Sequence, residues 1–320
     1  MALSTGHETR CSNSSRSAYV QSMDDTSRPK PLARLRLRRG QYLDDPPADQ
    51  ELVHIKRLEA ALPQLDETSY FARASAALIH GLPVFAADLD RVHVLHTGGS
   101  NGRISAVTHE YKTPKEPPNL TLVDGVRVTT LARTASDMMR RTLFGPSLAI
   151  ADAALRLGCE RAELLAEVKG GRGCRHATEA AKRADALSES PYESLVRATI
   201  LQRGLPLPLL QHEFSDAWGF VGRVDFYWPR FRLVGEFDGR VKYTSLLAPG
   251  ETLEDVLHRQ QVRQERMEAL NLRFVRWDAD AVHTPGAIEA SVRRYIGDGV
   301  IDHGLCPEAH DYRRPRRRAA

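Results

Sequence analysis

Two carboxylates stand inside apolar stretches of this chain. Asp225 lies within Val224-Asp225-Phe226-Tyr227-Trp228, and Glu236 within Leu233-Val234-Gly235-Glu236-Phe237-Asp238-Gly239. A charge taken out of water is costly unless it is paired, so both acids need partners. A cation held between them is one solution. An arginine is the other, and for Asp225 the core arginines would be Arg197 or Arg263. A hard cation such as Mg²⁺ or Mn²⁺ takes oxygen ligands and keeps several waters. Glu193 is a third acid, read either as the N3 partner of a capping box or as a member of the same acidic cluster.

The elements that would position these groups are legible from period and punctuation. Val224, Phe226 and Trp228 alternate with Arg223, Asp225 and Tyr227, the pattern of a half-buried strand. Pro229-Arg230 would turn the chain into a second, nearly all-apolar strand carrying Glu236. Ser190 as N-cap and Pro191 at N1 open a helix that Gly204 closes, with Tyr192, Leu195, Val196 and Ile200 on one face. Leu210–Phe214 reads as the first strand. Leu253–Asn271 reads as a long helix with Leu253, Val256, Leu257, Val262, Met267 and Leu270 toward the core, and Arg259, Arg263 and Arg266 on the other face. Residues 272–277 form a last strand and Ala287–Ile296 a last helix.

Upstream, residues 1–29 are polar and read as disordered. Within residues 30–44, leucine and arginine alternate through Arg34-Leu35-Arg36-Leu37-Arg38, which predicts a strand turning at Arg39-Gly40, either a basic wing or a charged edge strand. Leu52, Ile55, Leu58, Leu62 and Leu65 have helical spacing; a helix over 70–80 stops at Gly81 and Pro83 with His80 as a capping group. Strand and turn signals fill 91–130, including Asp124-Gly125. His93, His96 and His109 lack cysteine or carboxylate partners at ligand spacing and read as strand histidines. Helices over 132–141, 147–157 and 161–168 lead to Gly170-Gly171-Arg172-Gly173, taken with the segment to 187 as a linker. That run lacks the lysine and hydroxyl of a phosphate-cradling loop.

The composition is that of a soluble globular protein: 42% apolar, 27% charged, and 45 Lys+Arg against 41 Asp+Glu for a net +4. The charge permits a nucleic-acid partner without demanding one. Arginine clusters at 34–39, 132–141 and 313–318. Cys11, Cys159, Cys174 and Cys306 are widely spaced, so neither a zinc site nor a disulfide framework is expected, and a reducing cytoplasm fits. Membrane-spanning and secretory apolar runs are lacking.

Residues 188–297 run helix, three strands, helix, strand, helix. On Ser190-Pro191-Tyr192-Glu193, Gly204-Leu205-Pro206, Val224-Asp225-Phe226, Gly235-Glu236-Phe237-Asp238-Gly239 and Arg276-Trp277, this part resembles the PD-(D/E)XK nuclease core, and most the cousins of the very-short-patch-repair (Vsr) endonucleases. The resemblance implies a DNA endonuclease with Mg²⁺ or Mn²⁺ held by Asp225, Glu236 and the Phe237 carbonyl, with Glu193 completing the cluster. The family's lysine position is Asp238 here; Lys242 lies roughly 20 Å beyond Glu236 along an extended strand at ~3.3 Å per residue. The relatives imply Asp238 as a second metal ligand and Lys242 as a general acid or phosphate contact. Arg259, Arg263 and Arg266 would touch DNA phosphates. An exposed aromatic platform, which would favour RNA, is not evident.

Residues 67–168, through "SAALIHGLP", "VHVLH", "VDGVRVTTLARTASDMMRR" and "AIADAALRLG", resemble the AbiEi-family antitoxins of type IV toxin–antitoxin systems. Here 30–44 matches only the final wing of that family's winged-helix unit. This implies a regulatory or DNA-docking half, a possible toxin partner, and the alternative of a non-catalytic DNA-binding regulator with a degenerate nuclease core. The expected architecture is α/β (α+β) in two domains: a disordered 1–29, an AbiEi-like 30–168, a linker 169–187, a restriction-endonuclease-like mixed sheet flanked by helices over 188–300, and a basic tail 301–320.

Overall fold

The computed structural model describes residues 34–85, 87–97, 102–113, 119–170, 173–239 and 252–297. The polar N-terminus, Lys242 and the arginine tail lie outside the described residues.

The first elements are the hairpin β1 (Arg34–Arg38) and β2 (Gln41–Asp44), then α1 (Gln50–Ala61). The hairpin turns at Arg39-Gly40 and buries Leu37 beneath its arginines. Asp49 caps α1. The buried face of α1 differs from the leucine spacing: Val53, His54, Arg57 and Leu58 are inside, whereas Leu52, Ile55 and Leu62 are exposed. The polar pair goes inward because it finds acceptors there, His54 Nδ1 at 2.8 Å and Arg57 Nη1 at 2.5 Å from the Leu89 carbonyl.

β3 (Ser69–Phe71), α2 (Arg73–His80), β4 (Val92–Thr97), β5 (Thr108–Thr113), β6 (Leu120–Val123) and β7 (Val126–Thr129) follow. Their five strands form a mixed sheet of order β5-β4-β3-β7-β6. Asp124 and Gly125, at φ 48° and 79°, make the β6–β7 turn. Tyr70 and Phe71 belong to a strand rather than to the following helix. His80 Nε2 lies 2.7 Å from the Thr129 carbonyl, tying the end of α2 to the sheet.

α3 (Leu131–Met139), α4 (Phe144–Arg156), α5 (Arg161–Glu167) and α6 (Cys174–Arg183) pack as a helical layer. The expected linker is part of this core. Ala177, Ala180, Ala181 and Ala184 are buried in it, together with Ala198 from the next helix. Small side chains let the helices approach closely without leaving an apolar signature in the sequence.

The C-terminal unit contains α7 (Pro191–Gln202), β8 (Leu209–Asp216), β9 (Gly219–Trp228), β10 (Leu233–Phe237), α8 (Leu253–Ala269), β11 (Arg273–Trp277), α9 (Ala279–His283) and α10 (Ala287–Ile296). Its four-stranded sheet has the order β11-β10-β9-β8, with β10–β11 parallel and the other pairs antiparallel. The molecule is therefore α+β with more than one sheet, the C-terminal one mixed and flanked by helices. On one face, α7 and α10 cover Phe226, Trp228, Leu233, Val275 and Trp277. On the other, α8 covers Val221, Val224 and Val234 through Met267. Gly235 is required by close approach: a Cβ there would lie 2.6 Å from the Trp277 ring.

The two halves are joined by helix packing and by a buried ion pair. Asp152 of α4 accepts from Arg197 Nη2 of α7 at 2.5 Å and from the Asp185 N–H at 2.8 Å. Arg197, one of the two arginines weighed as an alternative partner for Asp225, is thereby committed across the boundary.

Candidate functional site

Asp225 is held at the centre of the C-terminal sheet. Its Oδ2 accepts from the Phe237 N–H at 2.8 Å, and its Oδ1 from Gln211 Nε2 at 3.3 Å. The same Gln211 nitrogen donates to Glu193 Oε2 at 3.0 Å. Gln211 thus bridges carboxylates from β9 and α7. It sits at φ 50°, where a non-glycine residue is strained by about 1–3 kcal/mol. The strand alternation slips at this level: Val224 packs with the α8-side cluster, Phe226 and Trp228 with the α7-side cluster. The expected single face for these three residues is therefore divided, at Asp225.

Asp225 lacks an arginine or lysine ion pair among the described residues. Burial, and then the charge of Glu193, push its carboxyl up to about 6, with Glu236 adding to the rise. Glu193 is itself buried; Ser190 Oγ caps its N–H at 3.1 Å while its Oε2 accepts from the Glu189 N–H at 2.9 Å. Ser190 caps the helix as expected, but the Glu193 carboxylate reaches the N–H of Glu189, one residue before the N-cap, rather than closing a capping box on Ser190.

Glu236 differs. Its Oε1 accepts from Arg263 Nη2 at 2.8 Å and its Oε2 from Arg276 Nε at 3.2 Å. Arginine pairing, the alternative weighed for Asp225, is found on Glu236. Arg276 stands beside Glu236 because β10 and β11 run parallel in register. Gly222 makes room for Arg263, since a Cβ there would lie 2.5 Å from its Nε.

The helix α8 is turned relative to expectation. Arg263, Arg266 and Met267 look toward the sheet, while Leu257 and Val262 are exposed. Arg266 holds Asp216 through two bonds of 2.6 and 2.9 Å and so clamps the β8–β9 hairpin. Arg259 is exposed on the same helix. Asp238 is exposed past the end of β10, its N–H donating to the Trp277 carbonyl at 2.8 Å. The Phe237 carbonyl accepts from the Gly239 N–H at 3.2 Å. At the hairpin tip, Trp218 is 85% exposed and Phe220 60%, an aromatic surface that the sequence does not announce. Gln211 was equally hidden, a polar residue in a strand with no spacing signal. Arg276 was visible within the Arg276-Trp277 match, but not as a partner of Glu236.

The donor set is all oxygen and suits a hard cation. Asp225 fits that need best: it is an acid beside two other acids, without a cationic partner among the described residues. Glu236 fits only when its arginines release it. Among the described residues, no group of three or more His, Cys, Asp or Glu side chains is arranged to hold a metal ion. Cys159 is buried, its thiol pushed up to about 11 by burial, and is inert. No helix among the described residues is long and apolar enough to cross a membrane.

No family model matches the chain. It is similar to two Mycobacterium tuberculosis proteins, uncharacterized protein MT2308 of strain CDC 1551 and uncharacterized protein Rv2248 of strain H37Rv, each 34% identical over 179 residues. The match covers 54% of this chain and 63% of each relative, so the chain spans less than two thirds of their length. A crystal structure of RV2827C protein from M. tuberculosis aligns with 57% of this chain and 72% of that one at 10% identity and a TM-score of 0.31. A likeness of that size carries no argument about function.

Proposed function

We propose that the C-terminal unit is a metal-dependent nuclease acting on DNA phosphodiesters. The observation that carries this reading is Asp225: a buried carboxylate without a cationic partner among the described residues, beside Glu193 and Glu236, and hydrogen-bonded by Gln211, whose own backbone is strained at φ 50°. Structure-only packing would replace such a group with an apolar one, since it costs stability at neutral pH.

Mg²⁺ or Mn²⁺, when bound, would supply Lewis acidity to a phosphodiester and acidity to a water. Asp225 and Glu236 would hold it, with the Phe237 carbonyl as the backbone contribution. Gln211 keeps Asp225 and Glu193 in one orientation. Glu193, whose hydrogen bonds among the described residues fall on Oε2, would take a proton from an attacking water. Arg263 and Arg276, on leaving Glu236, would face negative charge on the substrate. Lys242 and Asp238 remain proposed as a proton donor and a second ligand. A cytoplasmic location suits this reading.

A second reading is favoured by one observation, the two arginines on Glu236. A carboxylate so compensated is a poor metal ligand, and the unit would then bind DNA without cutting it, as a regulator with a protein partner such as a toxin would do. The test is nicking of supercoiled plasmid by the purified protein with Mg²⁺ or Mn²⁺, alongside Asp225→Ala and Glu236→Ala. Cleavage lost in both folded variants supports the nuclease. Salt-dependent DNA binding with no cleavage under any divalent ion or DNA form selects the second reading.

A further inference from the structure

A second cluster lies far from the acids in sequence, on the first large sheet. Tyr111 of β5 is fixed from behind: its hydroxyl lies 2.7 Å from His93 Nδ1, whose Nε2 donates to the Asp88 carbonyl at 2.6 Å. The His109 ring stacks on Tyr111 at 4.2 Å between centroids. The Arg73 guanidinium lies over the Tyr111 ring, 3.6 Å from its centroid. Arg73 opens α2 at φ 50°, a left-handed conformation for a side-chain-bearing residue, and no side chain caps this helix start. Arg141 is exposed, and its charge acts on both Arg73 and His109.

The charge balance there is one-sided. The acids that act on Arg73 and His109 are already paired, Asp137 with Arg133 at 3.0 Å and Asp88 with Arg91 at 3.0 Å. Neither Arg73 nor Arg141 makes an ion pair with a carboxylate among the described residues. The Arg73 guanidinium and the His109 imidazole thus meet on Tyr111 at the start of α2, with the Arg141 charge near enough to act on both, and the helix dipole adds further positive potential. Such a gathering, held by a strained backbone and a fixed ring, is destabilising in isolation and favourable around an anion.

We propose that Arg73, Arg141 and His109, seated on Tyr111, form a phosphate-contact site for the backbone of a nucleic acid on the N-terminal half. Guanidinium groups match phosphate oxygens, and aromatic support holds one of them in place. The choice of nucleic acid rests on the function proposed above, whereas the site itself requires no cleavage. It gives the docking half of the molecule a defined surface apart from the β1–β2 wing.

Binding of a fluorescent 20-base-pair DNA duplex is measured over a salt series in EDTA, with the full chain, Arg141→Ala and Arg73→Gln. Each variant is expected to bind about five- to tenfold more weakly near 0.1 M salt, with the slope of log K against log salt reduced by about 1. Arg141 is exposed, so its variant keeps the fold, which far-UV circular dichroism verifies. An unchanged affinity and slope for folded Arg141→Ala overturns the proposal. So does an effect confined to inorganic phosphate as the probe, which would make this a small-anion site. Because no divalent ion is present, loss of the nuclease reading would leave this result standing, and the reverse also holds.

Discussion

Arg263 of α8 meets Glu236 of β10 at 2.8 Å, crossing the sheet over Gly222. An arginine on the surface of a helix would be an ordinary phosphate contact. On the function proposed here, one that also neutralises a metal ligand would couple the two roles: cation binding at Glu236 and release of Arg263 toward substrate would become one event.

Arg263→Gln should therefore strengthen divalent-ion binding while weakening DNA binding. Losing a charge-assisted bond of about 1.5 kcal/mol on Glu236 corresponds to roughly tenfold tighter Mg²⁺ binding. The measurement is the rise in Tm with Mg²⁺ concentration, compared with the parent chain. Equal Mg²⁺ dependence in the two proteins would mean that Glu236 takes no part in holding the ion.

Asp225 sets a pH dependence whose sign follows from its environment. Burial and Glu193 raise its carboxyl from 3.8 to about 6. Between those values the folded protein keeps a proton that the unfolded chain has lost. Stability therefore falls as pH rises through this window, and the penalty, about 3 kcal/mol, is complete above pH 6 and absent below about pH 4. Asp225→Asn removes the ionisation but leaves the Phe237 N–H or Gln211 with a poorer acceptor, at about 1 kcal/mol. A net gain of about 2 kcal/mol is expected near pH 8, disappearing toward pH 4, with cleavage abolished. Urea titrations across that range decide it, and parallel pH profiles for parent and variant would refute the assignment.

The parts of this fold that were legible in the sequence are those written by backbone chemistry. Asp124-Gly125 takes positive φ at both positions, as a tight hairpin turn requires. Ser190 and Pro191 open α7 at the expected residues. Which face of a helix goes inward was less legible, because hydrogen bonds overrode apolar spacing. His54 and Arg57 turned α1, and Arg263 and Arg266 turned α8. The acids of the candidate site were visible because carboxylates are rare in apolar strands. Gln211, the exposed Trp218 and the pairing of Arg276 with Glu236 were not, since these arise only from strand register and hairpin geometry.

Gly235 tests how tightly the sheet carrying Glu236 is packed. A methyl group there meets Trp277 at 2.6 Å and Trp228 at 3.2 Å, two buried rings without room to retreat. Gly235→Ala is expected to destabilise by about 1–3 kcal/mol and to alter the near-UV circular dichroism of the tryptophans. A variant as stable as its parent, with an unchanged spectrum, would show that this side of the sheet is looser than described.

The Asp152–Arg197 pair makes the sharpest statement about domain organisation. If residues 169–187 were a flexible linker, the two halves would unfold independently and this pair would contribute little. Instead it is buried, Asp152 fully, and Arg197 Nη1 also reaches the Arg183 carbonyl at 2.8 Å. Removing one partner strands the other charge inside the helical core, which costs about 3–5 kcal/mol. Arg197→Met should therefore lower the unfolding temperature of both halves in a single transition. Asp152→Ala combined with Arg197→Met should recover a large part of that loss, because no unpaired charge then remains and the Asp152 Oδ2 and Arg197 Nε atoms, both buried without hydrogen-bond partners, are gone as well. Differential scanning calorimetry distinguishes the outcomes. Two separate transitions in the parent chain would restore the linker, whereas one transition that shifts as a unit means that α4, α6 and α7 tie the candidate nuclease unit and the N-terminal half into a single cooperative body.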